Sequence, residues 1–236
     1  MRMIVVRPAP GDARTLAQLA ARGITAEAVP LFAVRPIAWV PPDPRDHDAV
    51  LLTSANALRH GGSGLAALRS LPVVAVGAAT AAAARATGFA VALTGDGDVG
   101  RVSAQAAAAG LARLLHLAGR DRVAAGSAAI TVYASDALAV PEHVALRFAG
   151  ATILLHSARA AAAVAALVDR SGVDRAEVRL AAFSPAVAAV AGAGWQAIAV
   201  AAAPTDAALI EAAIETAIDQ RAARAAIDQR AARADK

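Results

Sequence analysis

Short apolar runs alternate with alanine-rich stretches along almost the whole chain, and the two have different periods. Ile4 to Arg7, Ala49 to Thr53, Pro72 to Val76, Leu114 to Ala118, Thr152 to Leu155 and Val178 to Phe183 are nearly unbroken apolar runs, the pattern of strands buried on both faces. Ala26 to Leu31, Ala90 to Thr94 and Gln196 to Ala201 predict further strands. Helices are predicted over Asp12 to Arg22, from Ser54, over Ala78 to Thr87, near Val102 to Leu111, over Ser157 to Val168, after Pro185 and from Asp206 onward. Gly23 and Gly88 stand just past two of these helices, as terminators do. Strands and helices alternating at this length imply parallel sheets.

Two stretches are near copies about a hundred residues apart: Leu51-Leu52-Thr53-Ser54-Ala55-Asn56-Ala57 and Leu154-Leu155-His156-Ser157-Ala158-Arg159-Ala160. Each is an apolar strand that ends in a small hydroxyl residue and turns into a helix. Each is followed by a second such run, ending at Gly77 in the first half and at Ser184 in the second. The chain therefore reads as two similar α/β units, and ligands of open parallel sheets sit beyond the carboxyl ends of the strands.

Phe32 to Val40 and Ile130 to Ser135 read as extended, and Pro41-Pro42-Asp43-Pro44 as a stiff polar loop. Between Ala118 and Ile130 only Gly119 to Ala129 remain. A parallel crossover needs a dozen residues or more, so this sheet edge is expected to be clipped or irregular. The nine residues Ala217 to Ala225 recur as Ala226 to Ala234, a period that matches no coiled coil and reads as a duplication of a helical or frayed tail, residues 217–236.

Composition narrows the function. The net charge is +4 and the pI about 10.8, but two of those charges lie in the tail and the arginines are scattered singly. With seven aromatic residues and no basic-aromatic interleaving, a nucleic-acid surface is not expected. No cysteine is present, which excludes disulfides, thiolate metal sites and a cysteine nucleophile. The start has no signal-peptide core, and Leu180 to Thr205, although free of charge, is broken by Ser184-Pro185, Gly192, Gly194 and Gln196. A soluble cytoplasmic protein without membrane partners is expected.

Gly95-Asp96-Gly97-Asp98-Val99-Gly100 satisfies G-x-G-x-x-G, but its aspartates would repel a pyrophosphate and it comes late in its unit; a turn is the better reading. The Asp-x-Asp-x-Gly within it lacks the later glutamate of a calcium loop, and the five histidines show no paired metal spacing. Thr53, Ser54, Asn56, Thr80 and Ser157 lie at strand ends or helix starts, where capping and ligand binding are compatible roles. Thr80 has Val187 as its counterpart in the second half, so hydroxyl groups are fewer there. Among the arginines Arg7, Arg59, Arg120, Arg122 and Arg159 are candidates for carboxylate pairing, and Arg7 and Arg159 are retained because each adjoins a strand end.

Val5-Val6-Arg7-Pro8, Leu52-Thr53-Ser54-Ala55-Asn56-Ala57, Ala75-Val76-Gly77 with Thr80-Ala81, Gly95-Asp96-Gly97-Asp98, Leu114 to Arg122, Val132-Tyr133, the Ser157 unit, Leu180 to Val187, Gly194-Trp195 and Pro204-Thr205 follow one another as in uroporphyrinogen-III synthases. The chain resembles that family from residue 4 to about 216. The resemblance implies two flavodoxin-like parallel-sheet domains joined by a two-stranded β linker. Residues 1–32 and 139–216 would form one domain and 39–129 the other, with 33–38 and 130–138 as linker strands.

The implied reaction is cyclisation of hydroxymethylbilane to uroporphyrinogen III, with loss of water and inversion of ring D, by a monomer without cofactor or metal. Tyr133, the only tyrosine, stands where the family carries a tyrosine on the return linker and is the candidate catalytic residue. Arg7, Thr53, Ser54, Asn56, Gly77, Thr80, Ser157, Arg159, Ser184 and Thr205 are the implied substrate-binding positions. The alternative is a two-domain tetrapyrrole-binding protein that has kept the cleft and lost turnover.

Overall fold

A computed structural model describes residues 1–122 and 128–218; the duplicated tail of the sequence falls mostly outside the described residues. The chain divides into two compact units, Met1–Ala33 with Ala137–Lys236, and Val34–Asp136. It passes from the first to the second within one strand and returns at the end of another.

In the first unit, β1 (Arg2–Val5), α1 (Gly11–Ala20) and β2 (Thr25–Ala28) open the chain, followed in sequence by β3 (Phe32–Pro36). The second unit holds β4 (Ala49–Leu52), α2 (Asn56–His60), β5 (Val73–Ala75), α3 (Ala78–Ala86), β6 (Val91–Thr94), α4 (Val99–Ala108), β7 (Leu114–Gly119) and β8 (Ala128–Ala137). The first unit then resumes with β9 (Thr152–Leu155), α5 (Ala158–Ser171), β10 (Arg179–Ala182), α6 (Pro185–Ala191), β11 (Ala197–Val200) and α7, residues 206–218.

Each unit is built on a mainly parallel sheet, with β3 running antiparallel beside β8: Ile37 N–H donates to the Val132 carbonyl and Leu138 N–H to the Leu31 carbonyl. The order β11-β10-β9-β1-β2 of the first unit, numbered along the chain, reads 5-4-3-1-2, the flavodoxin-like arrangement. The second sheet, β3-β8-β7-β4-β5-β6, carries the same order circularly permuted, β7 and β8 standing where β1 and β2 stand in the first unit. Burial explains the strand assignments: β4 and β9 are buried at every residue, while the edge strands β6 and β11 alternate. Two apolar clusters, one per sheet face, fill each unit.

Three local features have identifiable physical causes. The helix from Ser54 stops at His60, after which Gly62–Leu68 forms a 3-10 turn. Gly62 adopts φ +62°, the Trp39 indole N–H donates to the Gly61 carbonyl at 2.8 Å, and a β-carbon on Gly64 would lie 2.8 Å from Trp39 Cζ2. The Gly95 to Gly100 segment is a turn and cap: Gly97 has φ +114°, and Asp98 Oδ1 accepts the Arg101 N–H at 2.7 Å to start α4. Where a clipped edge is expected, β3 takes the edge position and β7 and β8 pair in parallel inside the sheet, with only residues 120–127 between them and a register slip between Ala118 and Gly119.

Candidate active site

In an open parallel sheet the strand order reverses at one point, and a crevice opens there beyond the carboxyl ends. In the second unit that point lies between β4 and β7, which pair from Ala49↔Leu114 to Leu51↔His116. A cavity of about 360 Å³ opens at this place, and Thr53, Ser54, His116, Gly119, Arg122 and Tyr133 line it.

Thr53 is the first residue past the wholly buried β4, so its side chain emerges at the sheet end. Ser54 Oγ accepts the Asn56 N–H at 3.2 Å, and Asn56 Oδ1 accepts from Arg59 at 2.9 Å; both side chains serve the start of α2. Tyr133 comes from β8, half buried, with its carbonyl accepting the Arg120 N–H at 2.9 Å. Its ring covers Gly119, and the His60 ring stands 6.4 Å away, centroid to centroid. Arg122 reaches the wall by donating to Thr131 Oγ1 at 2.9 Å and to the Gly119 carbonyl at 3.3 Å.

His116 sits within the buried run of β7, its Nε2 3.1 Å from Thr53 Oγ1. Burial first, and the Arg122 charge second, push its pKa below the ordinary histidine value, so the ring is neutral at pH 7. Gly77 leads into α3 with φ −157° and ψ 165° and offers no side-chain cap, and Thr80 is buried in the first turn. The first amides of α3 therefore lack a side-chain acceptor within their own helix, an arrangement that suits a carboxylate.

The switch point of the first unit, between β1 and β9, is also polar. Arg7 donates to Asp206 Oδ1 at 2.8 Å, Thr15 Oγ1 donates to Oδ2 at 3.3 Å, and His156 Nε2 lies 3.1 Å from Oδ1. Burial depresses the His156 pKa against the opposing effect of Asp206; Asp206 is held below the usual carboxylate range by His156 and Arg7, although burial works the other way. Arg7 thus faces an internal carboxylate. Ser157, Ser184 and Thr205 cap helices, accepting the N–H groups of Ala160, Val187 and Ala208 at 3.2, 3.3 and 3.2 Å. The Arg159 guanidinium lies 4.8 Å from the Phe32 ring centroid.

Of the sequence candidates, Thr53, Ser54 and Tyr133 share the cavity wall in the second unit, with Asn56, Gly77 and Thr80 on adjoining helix starts. Arg7, Ser157, Arg159, Ser184 and Thr205 belong to the first unit. His116, His156 and Asp206 were not among the candidates. A lone histidine in an apolar run carries little signal, but His156 occupies the repeat position of Thr53, which marks both as strand-end polar sites. Among the described residues no cluster of three or more histidine, aspartate or glutamate side chains is placed to hold a metal, and no helix is long and apolar enough to cross a membrane.

A family model described as uroporphyrinogen-III synthase HemD matches residues 13–211. The fold is similar to that of the uroporphyrinogen-III synthetase of Helicobacter pylori, with 16% identity and a TM-score of 0.63 over 92% of this chain and 100% of that one. A mutant uroporphyrinogen III synthase from the extremely thermophilic bacterium Thermus thermophilus is similar at 14% identity and a TM-score of 0.52, over 93% of this chain and 99% of that one. No curated protein matches the sequence significantly.

Proposed function

The chain belongs to the uroporphyrinogen-III synthase family, lyases of tetrapyrrole biosynthesis, and we propose that it cyclises hydroxymethylbilane to uroporphyrinogen III with Tyr133 at the reacting end of the substrate. The observation that carries this reading is the common cavity of Tyr133, Thr53 and Ser54 at the switch point of the second sheet.

Departure of the terminal hydroxyl leaves an electrophilic azafulvene. A phenol O–H donating to that hydroxyl lowers the cost of its loss. The azafulvene closes by either of two routes, and only attack through the substituted position of ring D, by a spiro intermediate, gives the inverted product. Selecting between them is a matter of holding the chain in one conformation. Eight carboxylates give the protein the handles to do so, and hydroxyl groups, helix-start amides and arginines supply donors for them. On this reading Thr53, Ser54, Asn56, Gly77 and Thr80 hold the substrate from the second unit, and Arg7, Ser157, Arg159, Ser184 and Thr205 from the first. We take the working form to be a cytoplasmic monomer acting without cofactor; a chain without cysteine fits that setting.

The test is incubation of the purified chain with enzymatically generated hydroxymethylbilane, followed by separation of the isomers after oxidation. Uroporphyrin III above the enzyme-free control is expected. Isomer I alone, with tight binding of the linear substrate, would instead identify a binding protein that has lost turnover.

A further inference from the structure

We propose that His116 is a positioning residue that turns the Thr53 hydroxyl into a hydrogen-bond donor directed at a substrate carboxylate. The inference rests on the proposed function for the identity of that ligand, and on the geometry of β7 and β4 for everything else.

His116 is 1% exposed, and buried polar groups are satisfied as a rule. Only one of its ring nitrogens is: Nε2 meets Thr53 Oγ1 at 3.1 Å, whereas Nδ1 is buried without a hydrogen-bond partner among the described residues. Three protonation forms are conceivable. The imidazolium would bury a charge and an unpaired N–H, and both burial and the neighbouring Arg122 oppose it. The neutral form with its proton on Nδ1 would orphan a buried N–H. The form with its proton on Nε2 orphans only a lone pair, and orphaned N–H donors are the rarer defect in folded proteins. The proton therefore belongs on Nε2, and Nε2–H donates to Thr53 Oγ1.

The hydroxyl responds to that assignment. An oxygen that already accepts from His116 must aim its own hydrogen elsewhere, and Thr53 is exposed at the cavity wall. A carboxylate is acceptor-only, so it is met by a donor. With the opposite tautomer the hydroxyl hydrogen would be spent on His116, and only lone pairs would face the carboxylate. Chains of hydrogen bonds also polarise one another, which strengthens the outer O–H as a donor. The first unit supplies the contrast: His156 replaces Thr53 at the repeat position and its Nε2 faces Asp206, so no hydroxyl is presented there.

Two measurements test the proposal. Long-range proton–nitrogen correlation spectra of the purified chain at pH 7.5, with His116 assigned by comparison with His116→Phe, are expected to show the Nε2–H tautomer; the Nδ1–H tautomer would overturn it. In kinetics, His116→Phe is expected to raise KM for hydroxymethylbilane by roughly five- to tenfold with a smaller change in kcat, the scale of one ordinary hydrogen bond. His116→Gln, whose amide N–H can replace Nε2–H, is expected to restore most of that affinity. His116→Phe/Thr53→Val is expected to be little worse than Thr53→Val alone. Fully additive losses, or no rescue by glutamine, would show that His116 acts only through packing. A wild-type chain with no synthase activity would refute the proposed reaction, while the tautomer would still decide the hydrogen-bond assignment.

Discussion

The phenol of Tyr133 lies directly over the backbone of Gly119: a β-carbon at Gly119 would stand 2.8 Å from Tyr133 Cζ and 3.0 Å from its hydroxyl oxygen. Glycine at the end of β7 is thus required by close approach and not by backbone conformation, since Gly119 is not among the residues of positive φ. Gly119→Ala is expected to displace the ring and lower turnover by roughly tenfold, the scale of one lost hydrogen bond of about 1.4 kcal/mol, as is Tyr133→Phe. Because both act on one phenol, the double variant is expected to match the more damaged single one. Steady-state isomer assays on the four proteins, with circular dichroism to verify folding, check this.

The starts of α3 and α6 make a natural pair of controls. Gly77 and Ser184 share almost the same backbone angles, φ −157° with ψ 165° and φ −159° with ψ 164°, yet only Ser184 caps its helix. A β-carbon on Gly77 meets nothing within 4 Å. Gly77→Ser is therefore expected to add a cap and stabilise the protein by about 0.5–1 kcal/mol. The same change occupies amides that the proposed site leaves for a carboxylate, so KM is expected to rise. Urea titration and kinetics on the one variant separate the two effects.

His116 and His156 are both neutral in the folded state, with pKa values pushed below the usual 6.5 by burial. The unfolded chain binds their protons at a higher pH than the folded one does. Their contribution is therefore fully present above about pH 6.5 and is lost as pH falls through that value toward the folded-state pKa. Stability is expected to fall from pH 7 to pH 5, by at most about 1.4 kcal/mol per pH unit for each histidine. Replacing either with phenylalanine is expected to flatten the slope of urea-derived stability against pH; an unchanged slope in both would refute the assignment.

Asp206 accepts from Arg7 and Thr15 and meets His156, joining the start of α7 to the ends of β1 and β9. Asp206→Ala leaves a partly buried guanidinium without its carboxylate, and a loss of roughly 2–4 kcal/mol is expected. The urea midpoint should fall with little change in slope, since the same surface is exposed on unfolding.

What could be read without coordinates followed physical periodicity. Unbroken apolar runs such as Ala49 to Thr53 and Thr152 to Leu155 can be satisfied only between two covered faces, so parallel strands were legible from them. Helix ends were less so: α2 stops at His60, where the next carbonyl is taken by the indole of Trp39, 22 positions away, and no local pattern reveals that. The chemistry divides in the same way. Tyr133, Thr53 and Ser54 were marked by position in an ordered or repeated series, whereas the bond of Thr53 to His116 spans 63 residues and that of Arg7 to Asp206 spans 199. Such partners become neighbours only through strand order, and a histidine between two leucines looks like core until the neighbouring strand is known.

The interleaved order of the two units sets a schedule for synthesis. β1 pairs with both β2 and β9, yet β9 leaves the ribosome only after the whole of the second unit. The second unit is contiguous and can complete its sheet as soon as β8 has emerged, whereas the opening β1-α1-β2 must wait with one strand edge unpaired and with Ile4 and Val6, on the face that α5 covers, exposed. Unpaired edges and exposed apolar faces are what chaperones hold and what aggregation recruits. The earliest residues of the chain are thus among the last to find their native neighbours, and the vulnerable interval in the life of this protein comes before its closing segment is made.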